Sequence, residues 1–264
     1  MTGDPVGPEM PRMRLTHRVA VVTGGSAGIG LGIVRRLLAE GASVAFCGRT
    51  RARVLAAQAE CTAGDRVLGQ LVDVADPAAV DEFFESVRQQ FGPIDILVNN
   101  AGVSPKRRSP AAWIGQVDLD EWRHVIDINL TGAWLCSRNA ASDMIARRWG
   151  RIVNIGSIAG RTTPKIAGPH YAAAKAGLAG LTRALAIDLA PHGITVNCVA
   201  PAWIASNMTA PADSDAGRKA ATGIPVGRIG DPVDVAALVA FLASDEAGYI
   251  TGATVDVNGG VFAT

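Results

Sequence analysis

Short apolar segments alternating with helical ones constrain this chain more than any other feature. Seven stretches, RVAVVTGG, ASVAFCG, RVLGQLVDV, IDILVNNAG, GRIVNIGS, GITVNCVAP and ATVDVNGG, are rich in Val and Ile and end in turn residues. Such runs suit strands buried on both faces, which is the pattern of a parallel sheet. Helical periodicity fills the intervals: residues 29–40, RARVLAAQAEC, PAAVDEFFESVRQQFG, residues 119–148, a helix carrying Tyr171 as far as about Pro191, and residues 232–243. PAAVDEFFESVRQQFG has proline at its start and glycine past its end, the usual helix punctuation. Residues 202–230 read as loose sequence. Strands alternating with helices predict an α/β, doubly wound fold with a seven-stranded parallel sheet and helices on both faces. No repeat or linker divides it, so residues 15–264 read as a single domain behind a loose tail of residues 1–14.

Composition narrows the function classes. Hydrophobic residues make up 48% and charged residues 19%, enough apolar material for a substantial core. The 25 basic and 24 acidic residues leave a net charge of +1, which excludes a strong electrostatic footprint for nucleic acid or an anionic membrane. No apolar run approaches the ~20 residues of a membrane span. Cys47, Cys61, Cys136 and Cys198 are scattered, without metal-ligand spacing, so no metal is expected. Scattered thiols and a proline-containing start without an apolar stretch fit a cytoplasmic protein.

The first strand runs into TGGSAGIG. The strict G-x-G-x-x-G spacing is absent, and a P-loop fails because Leu31 stands where its lysine belongs. What remains, Gly24, Gly28 and Gly30 between a first strand and a first helix, still admits a close anion. Residues without Cβ let the backbone approach a pyrophosphate, and the helix start supplies N–H groups and a positive dipole end. The alternative is a tight turn that simply needs glycine. Its position after the first strand of an α/β chain favours a dinucleotide.

GPHYAAAKAG carries one of only two tyrosines in the chain. A helix puts Tyr171 and Lys175 on one face, with small alanines between. A phenol titrating near 10 needs a shift of about 2–3 units, or ~3–4 kcal/mol, to exchange protons near neutrality. One ammonium at ~4 Å in an effective dielectric of ~20 supplies ~4 kcal/mol. The spacing therefore predicts an acid–base pair with a phenol of lowered pKa.

TGGSAGIG, NNAG from Asn99, NLTG from Asn129, GS ending at Ser157 and YAAAK from Tyr171 follow one another in the order and rough spacing of the short-chain dehydrogenase/reductase family. The resemblance covers nearly the whole chain and extends to 3-oxoacyl-carrier-protein-reductase-like and tropinone-reductase-like members. It implies a Rossmann-type single domain, a nicotinamide dinucleotide, hydride transfer at a carbonyl or alcohol carbon, and a homotetramer. It further implies that Tyr171 is the general acid in reduction, that Ser157 binds the substrate oxygen, that Lys175 hydrogen-bonds the nicotinamide ribose, and that Asn129 holds a proton-relaying water. Gly24, Ser26, Gly28, Ile29 and Gly30 would line the pyrophosphate, Asp73 and Val74 the adenine, and Asn100, Ala101 and Gly102 the middle of the cofactor. Asp73 could equally cap its strand. Pro201, Ile204 and Ser206 would face the carboxamide.

Cofactor choice turns on the end of the second strand, where an acidic residue usually pairs with the ribose of NAD. Here FCGRTRAR has Gly48 and then Arg49. A guanidinium with no carboxylate beside it favours the 2′-phosphate of NADP(H). Ala27 is a departure, because NADP-preferring relatives often carry a basic residue there. Ala202 is another, standing where the family commonly has glycine, and a Cβ would resist a positive φ.

Residues 103–117, with Lys106, Arg107, Arg108 and Trp113, and a lid of about residues 205–223 are expected to border the substrate. The three cations could steer an anionic or carrier-bound acyl substrate, or simply face solvent, and Trp203 could shape a pocket. The reading is an NADPH-dependent carbonyl reductase acting on a small-molecule or carrier-bound substrate. The rivals are an NAD-dependent alcohol or sugar dehydrogenase running oxidatively and a non-catalytic dinucleotide sensor. Retention of both Tyr171 and Lys175 argues against the sensor.

Overall fold

The structure, a computed structural model, describes residues 13–105, 113–162, 167–205 and 214–263. Among these residues the strands are β1 (Val19–Thr23), β2 (Ser43–Gly48), β3 (Val67–Leu71), β4 (Ile96–Asn99), β5 (Gly150–Ile155), β6 (Ile194–Pro201) and β7 (Thr254–Val257). They form one parallel sheet in the order β3-β2-β1-β4-β5-β6-β7. The helices are α1 (Gly28–Ala39), α2 (Arg51–Glu60), α3 (Pro77–Phe91), α4 (Leu119–Ile126), α5 (Gly132–Arg147), α6 (Pro169–Leu189), α7 (Asp215–Ala221) and α8 (Pro232–Leu242).

Successive strand side chains point to opposite faces. On β1, Ala20 and Val22 therefore join one apolar cluster with α1, α2 and α8, while Val19 and Val21 join another with α3, α5 and α6. The sheet is thus covered on both sides, and β1, β4, β5 and β6 are buried along their full length. Strand order reverses direction between β1 and β4, which opens a crevice beyond their C-terminal ends.

Two predicted elements differ. The long helix expected over residues 119–148 is interrupted by a π turn, Asp127–Thr131, between α4 and α5. Single π turns widen a helix locally and re-aim the side chains they carry. The region read as loose, residues 202–230, contains α7 and a bridge between Ile204 and Gly230. Arg14, grouped by sequence with the tail, is tied down. Its guanidinium meets Glu40 at 2.6 Å and holds that carboxyl down at about 2.

Candidate active site

Residues from β1, β4, β5, β6 and the π turn converge on the crevice. The glycine turn packs against the end of β4. Gly24 has φ +66° and Gly28 φ +53°, in the region that glycine tolerates. A Cβ on Gly24 would lie 2.9 Å from the Cα of Ala101, and one on Gly30 would lie 2.2 Å from the Gly24 carbonyl. The amide of Asn100 donates to the carbonyls of Thr23 and Gly24 at 3.0 and 3.1 Å. The N–H groups of Asn100 and Ala101 both donate to Thr23 Oγ1 at 3.0 Å. NNAG is thus a stitch between β1 and β4, and Gly102 continues it into the crevice.

Helix α1 starts behind this turn, at Gly28, Ile29 and Gly30. Its N-cap, Ala27, offers no side-chain acceptor, and its first turn holds no acid. By contrast Asp76, Asp118 and Asp231 cap α3, α4 and α8. Gly48 ends β2 beneath Ser26, and a Cβ there would lie 2.5 Å from Ser26 Oγ. The half-exposed Arg49 follows, and the Asp73 carboxylate stands 3.9 Å from its guanidinium. This corrects the expectation that no carboxylate lies beside it, because Asp73 comes from just past the end of the neighbouring β3. Asp73 also accepts from the Ala75 N–H at 3.0 Å, as a strand-end cap does, and Val74 beside it is buried.

The π turn presents Asn129. Its amide group donates to the carbonyls of Val103 and Val125 at 3.0 and 2.9 Å. Its Oδ1 is buried without a partner among the described residues, an arrangement that suits a bound donor. A Cβ placed on Gly102 would lie 2.7 Å from this Oδ1 and 3.6 Å from Lys175 Nζ, so the two groups border one space.

At the end of β5, Ser157 Oγ accepts from the Ala159 N–H at 3.1 Å and faces Tyr171. Lys175 is buried, and its Nζ donates to the Ile155 carbonyl at 2.7 Å. That nitrogen lies 5.7 Å from the centre of the Tyr171 ring. Burial pulls the Lys175 ammonium down to about 8. Burial also pushes the Tyr171 phenol above its usual value, against a smaller lowering from the Ser157 hydroxyl. This corrects the lowered phenol that sequence spacing predicts. The amine is engaged with the Ile155 carbonyl, and removal of the phenol from water sets the direction of its shift.

Ala202 has a negative φ and donates to the Val257 carbonyl at 3.1 Å, so alanine fits where the family commonly has glycine. Pro201 is buried at the end of β6, and Ile204 is buried against Gly230. Trp203 lines a cavity of about 310 Å³ with Ile224, Val226 and Asp256. Ser206, Lys106, Arg107, Arg108, the side chain of Trp113 and much of the expected lid lie outside the described residues. Sequence reading missed Thr23, whose hydroxyl anchors the stitch, and His170, which is buried beside Tyr171. The described residues contain no group of three metal-ligating side chains and no helix long and apolar enough to cross a membrane.

Residues 24–262 match a family model described as enoyl-(acyl carrier protein) reductase. The chain belongs to the short-chain dehydrogenase/reductase family. It is 40% identical over 250 residues to the 3-oxoacyl-[acyl-carrier-protein] reductase FabG of Salmonella typhimurium, covering 95% of this chain and 99% of that protein. It is 39% identical over 250 residues to FabG of Escherichia coli, with the same two coverages. The solved 3-oxoacyl-[acyl-carrier protein] reductase of Brucella melitensis superposes with a TM-score of 0.90 at 34% identity, over 100% of this chain and 99% of that one. The crystal structure of gox2181 superposes with a TM-score of 0.87 at 35% identity, over 94% and 97%. Membership in this family makes the chain an oxidoreductase dependent on a nicotinamide dinucleotide. The glycine cradle, the α1 start without a side-chain cap and the unpartnered Asn129 oxygen fit such a group.

Proposed function

We propose that this protein reduces the 3-oxo group of a carrier-bound acyl chain to an alcohol with NADPH. The observation that carries the proposal is the meeting of Ser157, Tyr171 and Lys175 at the C-terminal end of β5, in a chain 40% identical to a reductase of that name. When bound, the reduced nicotinamide supplies hydride to the carbonyl carbon. The Ser157 hydroxyl donates a hydrogen bond to the substrate oxygen and stabilises charge growing there. Tyr171 gives that oxygen its phenolic proton. A phenol whose pKa stands above the usual value keeps its proton at neutral pH. It is therefore protonated and able to donate when the substrate carbonyl is bound. Lys175 returns the proton through a water held by Asn129 Oδ1 and also bonds the nicotinamide ribose.

Gly24, Ser26, Gly28, Ile29 and Gly30 receive the pyrophosphate with the N-terminus of α1. Arg49 and the Ser26 hydroxyl take the 2′-phosphate of NADPH, and Gly48 puts no carboxylate beside them to repel it. Asp73 and Val74 border the adenine, and Asn100, Ala101 and Gly102 the centre of the cofactor. Pro201, Ile204 and Ser206 face the carboxamide. Lys106, Arg107 and Arg108 steer the carrier, residues 205–223 close over the acyl chain, and the working form is a homotetramer.

The test follows NADPH absorbance with a 3-oxoacyl thioester. Turnover with NADPH at a kcat/KM at least about tenfold above that with NADH is expected, given a bidentate Arg–phosphate contact. Preference for NADH contradicts the cofactor assignment. Binding without turnover of any carbonyl compound contradicts the enzyme reading.

A further inference from the structure

The first turn of α6 lacks the side-chain cap that α3, α4 and α8 have. Its N-cap, Gly168, has no side chain, and Pro169 has no N–H. The Tyr171 N–H is met instead by its neighbour, donating to His170 Nδ1 at 3.0 Å. A backbone amide only donates, so Nδ1 carries no proton and the ring hydrogen sits on Nε2. That Nε2–H faces Glu121 Oε1 on α4 at 3.1 Å. His170 is fully buried, and the Glu121 side chain is 12% exposed. The imidazole thus bridges two helices. One runs directly into the π turn that holds Asn129, and the other carries Tyr171 and Lys175.

We propose that His170 and Glu121 form a clamp that positions the Tyr171 phenol against Asn129 and Lys175. The inference rests on Tyr171 being the proton donor. His170 touches no reacting atom. It acts through the Tyr171 backbone on one edge of its ring and through α4 on the other. Few side chains could replace it, because the bridge needs an acceptor and a donor on opposite edges of one rigid group. Phenylalanine would fill the volume yet leave the Tyr171 N–H without its acceptor. Asparagine would restore that acceptor, since its Oδ1 reaches about where Nδ1 stands.

The test uses the full chain carrying Tyr249→Phe. The chain has two tyrosines and Tyr249 is wholly exposed, so this change leaves Tyr171 as the sole source of tyrosinate absorbance. His170→Phe, His170→Asn and Glu121→Leu are compared with that parent. We expect His170→Phe to lower kcat about 10–100-fold, the scale of an ångström-level misplacement, with the KM for NADPH changed less than about threefold. Its tyrosinate transition should move down toward the ordinary phenol value, because a loosened phenol is better hydrated. His170→Asn, which restores the acceptor for the Tyr171 N–H but not the reach to Glu121, should recover part of both properties. A His170→Phe enzyme with kcat within about twofold of the parent and an unmoved titration overturns the clamp. So does a His170→Asn enzyme no better than His170→Phe. If His170→Phe does not fold, Glu121→Leu must show the same fall in kcat and the same titration shift, and an unchanged Glu121→Leu overturns the proposal. A parent without carbonyl turnover contradicts only the functional reading, because the tyrosinate titration still decides the clamp.

Discussion

Lys175 is an amine kept where water does not reach. Its pKa of about 8, against an ordinary value near 10.5, corresponds to about 3 kcal/mol spent on holding an ammonium in a low-polarity site. Because the folded value is depressed, the unfolded chain binds more protons between about pH 8 and 10.5. Stability therefore rises with pH through that window, and below it the penalty is complete. Lys175→Met should abolish turnover and, at pH 7, be more stable than the parent by about 1–3 kcal/mol, allowing for the Ile155 carbonyl left without its donor. Urea melts at several pH values check this, and the advantage should shrink as pH rises from about 8 to 10.5. A variant less stable than the parent at pH 7 contradicts it. At the cofactor end, Gly48→Asp puts a Cβ 2.5 Å from Ser26 Oγ and a carboxylate beside Arg49. It should lower kcat/KM for NADPH by about tenfold or more while sparing NADH, as steady-state kinetics with both cofactors would show. The i, i+4 spacing of Tyr171 and Lys175 is legible in the sequence. The Ile155 carbonyl that occupies the amine, and the burial that raises the phenol, are not, because both depend on strands that meet only in the fold.

The turn after β5 is wedged against a helix. A Cβ on Gly160 would lie 2.6 Å from the Ala176 nitrogen and 2.6 Å from the Lys175 carbonyl carbon, both backbone atoms. On the other side, Arg161 meets Asp256 of β7 at 2.5 Å. Gly160→Ala should therefore push the Ser157 turn off α6. It should cost about 1–3 kcal/mol of stability, read by thermal melting, and lower kcat in proportion to the displacement of Ser157. Unchanged kcat in a destabilised variant would show that the wedge holds the fold but not the site. The strands of this sheet were readable because buried parallel strands are nearly uniform runs of Val, Ile and Ala. The π turn was not, since INLTG inside a helical pattern looks like more helix. Its wider winding arises from packing of α4 and α5 around Asn129, whose amide reaches both Val103 and Val125. Helix α7 escaped notice because DAGRKAA carries no apolar stripe.

For the molecule as a whole, strand order was beyond the sequence, since parallel partners are far apart along the chain and no hairpin fixes their register. The position of the crevice follows from that order, so the convergence of TGGSAGIG, NNAG and YAAAK became visible only through it. Large apolar side chains remain exposed on the outer helices: Leu119 and Trp122 on α4, Trp134 and Ile145 on α5, and Ile187 on α6. Such surfaces suit association of copies. Light scattering should give a mass about four times the 27.3 kDa of the chain, and a monomer at micromolar concentration would contradict the tetramer. The most direct test of the central claim, that Tyr171 delivers the proton to a carbonyl oxygen, is a single-turnover measurement with Tyr171→Phe. NADPH affinity should stay within about threefold of the parent while the rate of 3-oxoacyl thioester reduction falls at least about 100-fold. A Tyr171→Phe enzyme that reduces the thioester at near the parent rate would contradict it.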